Sequence, residues 1–587
     1  MNTNKDSGSG YNRFLLLVAG LGGLLFGVDV GIISGALPYL EATSKLSSND
    51  LSRIVAAVLL GGVFSTLFAG VLADFFGRKA MMIVSGMLFV VSVPIIAMSH
   101  SYDVLITGRL LQGISGGMIG VVIPLYLAEC LSASSRGKGT GIFQWLLTLG
   151  ILAAAVIGYY FSGRVDEVAK VADPERLLKF KDVAWRSIFW VSLPPGILFV
   201  IGSFFVSESP RWLFRRGKKD AAFKVLLRSR APEQAAIELK EMEEIEAAET
   251  RSAAGGKVRD SLLQRKYILP FVLACIILAC NQATGVNSVI GYNATILLQA
   301  GLSDKQAHLG NVLLTLVNFL TTIVAIALVD RKGRKFLFSL GTAGVIVSML
   351  AVGFVFHKTE KQRVDVRDAV QTLVISSNQT AVINFDETSA GQWLASSGKT
   401  IAQPKTLVVI YSYGDFRAAA KVVRSDDPTA ILVLNRESCL PANNVSAFFK
   451  NPFANLVAAR VAPLKIEHAL ITPVPSEQNG WLTAVLIYCF MAFFAVGPGV
   501  CVWLALSELM PTRIRSKGMS IALLINIAVS TTIAGVFLPT VGQYGYSTMF
   551  FIFAGCTVVY FITATFILPE TKGKTLEEIE RHFEGRH

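Results

Sequence analysis

Twelve apolar runs, each close to 20 residues or longer, punctuate this chain and restrict what it can become. They fall near residues 13–37, 54–75, 81–99, 104–128, 139–161, 187–206, 267–299, 309–329, 336–356, 480–506, 517–540 and 547–568. A helix needs about 20 apolar residues to cross the hydrocarbon of a bilayer. In lipid every backbone polar group must be satisfied inside the protein, which a helix does within its own segment. The expected fold is therefore an all-α polytopic membrane protein with 12 transmembrane helices. Composition agrees: 52% of the 587 residues are hydrophobic and only 16% are charged, against about 25% charged in soluble domains. A fibrous, disordered or nucleic-acid-binding chain is excluded. The excess of 54 Lys and Arg over 41 Asp and Glu calls for no nucleic-acid partner, because cytoplasmic loops of membrane proteins concentrate Lys and Arg.

The runs divide the chain into an N-terminal six-helix half (1–206), a cytoplasmic linker (207–266), spans seven to nine (267–356), an insertion (357–479), and spans ten to twelve with a tail (480–587). The linker alone carries 14 Lys and Arg. With the long 357–479 segment discounted, the basic bias favours the side of the termini. Both termini are expected to be cytoplasmic, in a multi-pass protein of the bacterial inner membrane or plasma membrane. An internal repeat supports two halves. Asp74-Phe-Phe-Gly-Arg78-Lys79 recurs 256 residues later as Asp330-Arg-Lys-Gly-Arg334-Lys335, and Glu129 with Arg136 recurs 379 residues later as Glu508 with Arg515. The offset grows by 123 residues between the two motifs, which locates the insertion. Duplicated halves around a central site are a common transporter plan.

The insertion is expected to be a small extracytoplasmic α+β module. Thr406–Tyr413 and Ala430–Leu434 read as strands, Gln371–Ile375 as a weaker one, and Tyr413–Arg417 as a turn. It holds no Gly-rich phosphate loop, Cys/His metal spacing or nucleophile motif, so no enzyme, metal or cofactor is expected, and its partner is not legible. In the linker, the Glu-rich stretch Pro232–Thr250 predicts one or two amphipathic helices. Of the seven cysteines, Cys275, Cys280, Cys489, Cys501 and Cys556 lie inside apolar runs, Cys130 at the end of one, and Cys439 in a polar region. They read as small packing residues rather than a disulfide framework. Gly22-Gly23, Gly61-Gly62, Gly113 and Gly116-Gly117 read as devices for close helix approach.

Ionisable residues deep in a span are costly and mark function. Asp29 lies mid-way along the first run and Arg109 near the start of the fourth. The bland alternative is an ion pair that pins two helices. The functional one is a carboxylate whose proton affinity changes as water access and the distance to Arg109 change.

The chain resembles the sugar porter family of the major facilitator superfamily. The marks are Asp74–Lys79 and Asp330–Lys335, Gly108-Arg109, Glu129 with Arg136-Gly137, Glu208-Ser-Pro-Arg211-Trp-Leu213, Gly497-Pro498-Gly499 with Trp503, and Pro569-Glu-Thr-Lys-Gly573-Lys. The resemblance covers nearly all of the chain outside 357–479. It implies alternating-access transport of a monosaccharide or polyol, and it is strongest to bacterial proton-coupled pentose and hexose symporters, whose coupling carboxylate matches Asp29. Facilitative members commonly carry Asn there.

Amide side chains suit a sugar site, because each both donates and accepts hydrogen bonds without charge. Span seven offers Asn281, Gln282 and Asn287, with Tyr292 beyond. Matched to the family motif, Gln144, Gln282, Asn287, Trp503 and Asn526 fall on sugar-contacting positions and Asn318 on a further cavity position. Asn281 replaces a common family Gln, so its contact is expected to be shorter or water-mediated. The alternative for any one amide is interhelical glue. Arg78, Glu129, Arg136, Glu208, Arg211, Arg334, Glu508 and Arg515 match a cytoplasmic gate of ion pairs, which must act as a network because exposed pairs are worth under about 1 kcal/mol each. The rivals to a symporter are an uncoupled facilitator, a non-transporting sugar sensor and an ectoenzyme built on the insertion. Because the family normally joins spans nine and ten by a short loop, the insertion is expected to be dispensable for transport.

Overall fold

The computed structural model describes residues 5–583, apart from 45, 132, 172, 255–263, 397, 399–400, 402–403, 421, 428–430, 442–446, 448–450, 452–453, 503–508, 511–513 and 571–582. Twelve helices among the described residues are long and apolar enough to span a membrane, from Gly10–Thr43 to Tyr546–Ile567. This is a multi-pass membrane protein. Two faces of the bundle are distinguished by what they carry. The linker face bears the N-terminus and helices Pro210–Arg215, Lys219–Ser229 and Pro232–Ala254, the last being one helix over the stretch for which the sequence predicted one or two. The insertion face bears the segment between spans nine and ten.

Several spans outrun their apolar cores. The fifth continues to Ala169, and the sixth is two helices, Pro174–Trp190 and Leu193–Phe205. Pro194 and Pro195 in the first turn of the second segment explain the restart: neither ring nitrogen can donate a helical hydrogen bond. The seventh breaks into Arg265–Ala283 and Val286–Gln299 at Gly285, whose φ of 83° is left-handed. A Cβ there would lie 2.5 Å from the Phe553 ring, so backbone and packing both demand glycine. The tenth passes from Glu477–Phe494 into a π-helical turn, Ala495–Gly499, around Pro498.

Close approach between spans two and four rests on glycine, as the sequence predicted. A Cβ on Gly61 would stand 2.3 Å from the Leu110 carbonyl oxygen, and one on Gly113 2.0 Å from that of Val58. The halves meet along spans one and seven, two and eleven, and five and eight. Toward the insertion face the Tyr39 hydroxyl donates to Asp304 Oδ2 at 2.7 Å and lies 3.1 Å from His308 Nε2. Nearby, Leu538 N–H donates to Ser52 Oγ at 3.3 Å, and Ala294 N–H to Ser34 Oγ at 3.4 Å. The bundle is closed at this face.

The insertion contains strands β1 (Val364–Asp365), β2 (Ala381–Asn384), β3 (Lys405–Tyr413), β4 (Phe416–Ala419), β5 (Val423–Arg424), β6 (Ile431–Leu434) and β7 (Leu464–Pro473). An antiparallel sheet runs β1-β7-β3-β4 with β5 also on β3, while β2 and β6 form a second pair. Its own core gathers Leu407, Val409, Tyr411, Ile466 and Ile471 with Leu394 of the helix Glu387–Ser396. The strand predicted over Gln371–Ile375 is corrected. Gln371 ends a helix, and only Ile375 bridges, to Thr380. The Gln371 side chain satisfies the free edge of β7 instead, accepting from Ile466 N–H at 2.7 Å and donating to the Leu464 carbonyl at 3.3 Å.

Candidate functional site

The first span carries Asp29 and the fourth Arg109, both about 1% exposed. Their nearest approach is 3.9 Å, between Arg109 Nη1 and Asp29 Oδ1. The same Nη1 donates to Gln112 Oε1 at 2.7 Å, and the guanidinium carbon sits 5.6 Å from the centre of the Phe189 ring. Neither Asp29 oxygen has a hydrogen-bond partner among the described residues. Gly116 leaves the space it occupies, since a Cβ there would lie 2.8 Å from Asp29 Oδ2. Gln112 was missed as a partner. Its i+3 spacing from Arg109 on one helix is the signal that could have found it.

A second polar cluster gathers at the break in span seven. Gln282 Nε2 donates to Asn526 Oδ1 at 3.2 Å, and Asn287 Nδ2 donates to Gln282 Oε1 at 2.9 Å and to Ser530 Oγ at 2.8 Å. Asn526 Nδ2 donates to the Leu278 carbonyl at 2.9 Å. Gln282, Asn287 and Asn526 are thus brought together by spans seven and eleven, with Ser530, one helical turn beyond Asn526, as a member that sequence reasoning overlooked. Asn281 is buried and points away from this cluster's bonds, donating to the Pro498 carbonyl in the π-turn of span ten at 3.2 Å. Tyr292 is fully buried, gives its hydroxyl to the Ala534 carbonyl at 2.9 Å and stacks on Phe537 at 4.6 Å. Gln144 on span five and Asn318 on span eight are half-buried. Across that pair of spans Trp145 meets Phe319 at 5.6 Å between ring centres. Trp503 lies outside the described residues.

At the linker face, buried Arg78 forms one network with two carboxylates. Its Nε is 2.9 Å from Glu129 Oε2 and its Nη2 is 2.7 Å from Asp74 Oδ1. Ser209 Oγ also donates to Glu129, and Glu208 accepts the backbone N–H groups of Arg78 at 2.9 Å and Lys79 at 3.2 Å. In the other half Glu570 does the same for Arg334 and Lys335, at 3.1 Å each. In both places Gly-Arg-Lys opens a helix whose first N–H groups have no intrahelical acceptor, and a carboxylate supplies one. Glu570 was quoted in a motif but given no role. Arg211 is exposed in the helix Pro210–Arg215. Glu508 and the side chains of Arg136 and Arg515 lie outside the described residues. Among the described residues, no group of three or more His, Cys, Asp or Glu is placed to hold a metal.

Three comparisons bear on this geometry. Residues 15–378 and 459–583 match the family model described as "Sugar (and other) transporter", and the unmatched stretch between falls inside the insertion. The chain is 28% identical over 97% of its length to the facilitated glucose transporter member 12 of solute carrier family 2 from Macaca fascicularis, covering 85% of that protein. It is 26% identical over 99% of its length to the proton myo-inositol cotransporter of Homo sapiens, covering 83% of it. Among solved structures it shares its fold with the xylose transporter XylE from E. coli in a partially occluded inward-open conformation, with a TM-score of 0.63 and 20% identity, covering 96% of this chain and 100% of that one.

Proposed function

The chain belongs to the sugar transporter family, and from that membership we propose that it imports a monosaccharide or polyol by alternating access, coupled to proton symport through Asp29. The linker face is cytoplasmic in this reading, and the insertion lies outside. Sugar binds between the halves, where the Gln282, Asn287 and Asn526 amides exchange their mutual hydrogen bonds for the sugar's hydroxyls. Gln144, Asn318 and Trp503 complete the site from other spans, and Asn281 and Tyr292 hold its walls.

One observation carries the coupling: Asp29 is buried, accepts no hydrogen bond among the described residues, and stands 3.9 Å from a guanidinium already engaged by Gln112. A carboxyl group in such a place is stabilised by taking up a proton, and a guanidinium that closes on it favours proton release. A conformational step that changes water access to Asp29, or its approach to Arg109 within the N-terminal half, would place proton uptake and sugar movement in one cycle. The name of the human relative supports the proton; that of the macaque relative supports an uncoupled facilitator, the second reading.

Uptake of labelled sugars into proteoliposomes, with and without an inward pH gradient, separates the two. Accumulation above equilibrium that collapses when the gradient is dissipated supports symport. Uptake that only equilibrates, whatever the gradient, supports facilitation.

A further inference from the structure

The insertion is attached to one half of the bundle and reaches over the other. Both of its ends join the C-terminal half, at the end of span nine and the start of span ten. It is fastened there by Glu360, which pairs with Arg363 at 3.2 Å and accepts from the backbone and hydroxyl of Ser547 at the start of span twelve. From this base, β4 extends across the junction and packs on both span two and span eleven, one from each half. The fit on span eleven is close: a Cβ on Gly542 would stand 2.6 Å from that of Ala419.

A second set of contacts is made by the end of β5 and the turn after it, and Asp427 carries the crossing to the other half. Arg424 Nη1 donates to the Leu298 carbonyl at the end of span seven, at 3.2 Å, while Asp427 Oδ2 meets Lys181 Nζ at 3.7 Å. Lys181 belongs to the helix that leads into span six, in the N-terminal half. The turn is stiffened from within the insertion. Ser425 exchanges two 2.8 Å hydrogen bonds with the Lys405 backbone, through its N–H and its Oγ. Glu387 then clasps both the Ser425 hydroxyl and the Lys405 ammonium. The Lys405 bond holds the Glu387 carboxyl below its ordinary range, as expected of a clasp made in the charged form.

We propose that the insertion is a clamp on alternating access: an element of the C-terminal half whose contacts with span two and Lys181 hold the insertion face closed. Opening that face requires the halves to separate there, and an element carried by one half must then release the other. Every contact it makes across the junction therefore lowers the population open at the insertion face. The clamp rests on the alternating-access part of the proposed function, not on its proton coupling. It also revises the expectation that the insertion is dispensable: the carrier fold does not need it, but the balance of the cycle does.

The test uses the full chain in nanodiscs, with native cysteines replaced and spin labels at the insertion-face ends of spans two and eleven. Distance distributions are recorded for the parent, for Lys181→Ala, for the charge swap Lys181→Asp with Asp427→Lys, and for a form with residues 364–473 replaced by a Gly/Ser linker. Lys181→Ala should raise the ratio of long to short distances about two- to fivefold, the range of a partly exposed ion pair. The swap should restore the parent ratio, and the replacement should raise it further than any point change. Distributions unchanged in Lys181→Ala and in the replaced form would overturn the clamp, as would a swap no better than the single change. This readout needs neither sugar nor protons. A lost pH dependence of uptake with these shifts intact would count against Asp29 alone.

Discussion

Asp29 and Arg109 stand 3.9 Å apart in the buried middle of the N-terminal half without a hydrogen bond between them, while Arg109 Nη1 donates to Gln112 at 2.7 Å. A tight ion pair would be a fixed strut. A carboxyl group held near a guanidinium that still has donors to give is a contact that movement can make or break.

Asp29→Asn should therefore separate coupling from movement. Asn has nearly the size of Asp and keeps one acceptor oxygen, but it takes up no proton near neutral pH. The expected outcome is sugar binding within about threefold of the parent, a shift under about 0.7 kcal/mol, with accumulation driven by a pH gradient abolished and exchange of labelled for unlabelled sugar retained. Counterflow and gradient-driven uptake in proteoliposomes measure both. Full accumulation by the Asn form would leave Asp29 a structural residue.

Gln282 joins Asn287 to Asn526. Gln282→Ala should weaken sugar binding by about 1–3 kcal/mol, the usual loss when a buried polar partner is removed. Titration calorimetry against each transported sugar checks it. Unchanged affinity throughout would move the site away from the break in span seven.

Arg78 is about 1% exposed, and Glu129 contacts it through both carboxylate oxygens. Glu129→Ala leaves that charge with Asp74 and the Ala73 carbonyl as its remaining partners. Removing one member of a buried pair costs about 3–5 kcal/mol, with the lower end expected here because Asp74 remains. Thermal unfolding in detergent should show a clear fall in Tm for Glu129→Ala and a smaller one for Glu129→Gln. Equal Tm values for the parent and the Ala form would remove Glu129 from the network.

Tyr39 links span one to Asp304 and stacks on fully buried His308 at 5.5 Å. Tyr39→Phe keeps the stack and deletes the hydroxyl, which should cost the closed insertion face about 1–2 kcal/mol. Thiol labelling of a cysteine placed at the insertion-face end of span seven should become faster. Labelling at the parent rate would show that this hydroxyl does not hold the face shut.

Glu387 supplies a pH dependence. A carboxyl held below its ordinary range stabilises the fold fully above that range, and the contribution is lost as pH falls through the lowered value. Hydrogen exchange at residues 423–427 should accelerate below about pH 4. In Glu387→Gln it should be fast already at pH 7 and nearly independent of pH. A parent whose exchange protection is the same at pH 3 and pH 7, after correction for intrinsic rates, would exclude the clasp.

Most of the spans were legible because length and apolarity in a bilayer leave a backbone few alternatives, and the repeat of Asp74–Lys79 at Asp330–Lys335 disclosed the two halves. The insertion was harder to read. β3 is a continuous apolar run and was visible, but β7 was missed. Ile410 pairs with His468 and Tyr411 with Ile466, so Glu467 is an extra residue that shifts the alternation midway along the strand. The break at Gly285 lies among Asn281, Gln282, Thr284, Asn287 and Ser288, polar residues whose amides sequence reasoning took as side chains for a site and not as an interruption of the helix.

What the sequence by itself determined is the membrane class, the number of crossings, the duplicated plan and the residue types in its interior, because each follows from local transfer energies or from motif spacing. Only the tertiary structure decided how those residues are spent. Amides at 282, 287, 526 and, through Ser530, the next turn of span eleven converge, whereas Asn281, one residue from Gln282, is turned to the backbone of span ten. Arg109 is shared with Gln112, and an insertion rooted in one half lies across the other. Those outcomes depend on helix rotation and on distances between segments far apart in the chain, and neither is encoded in any local stretch of residues.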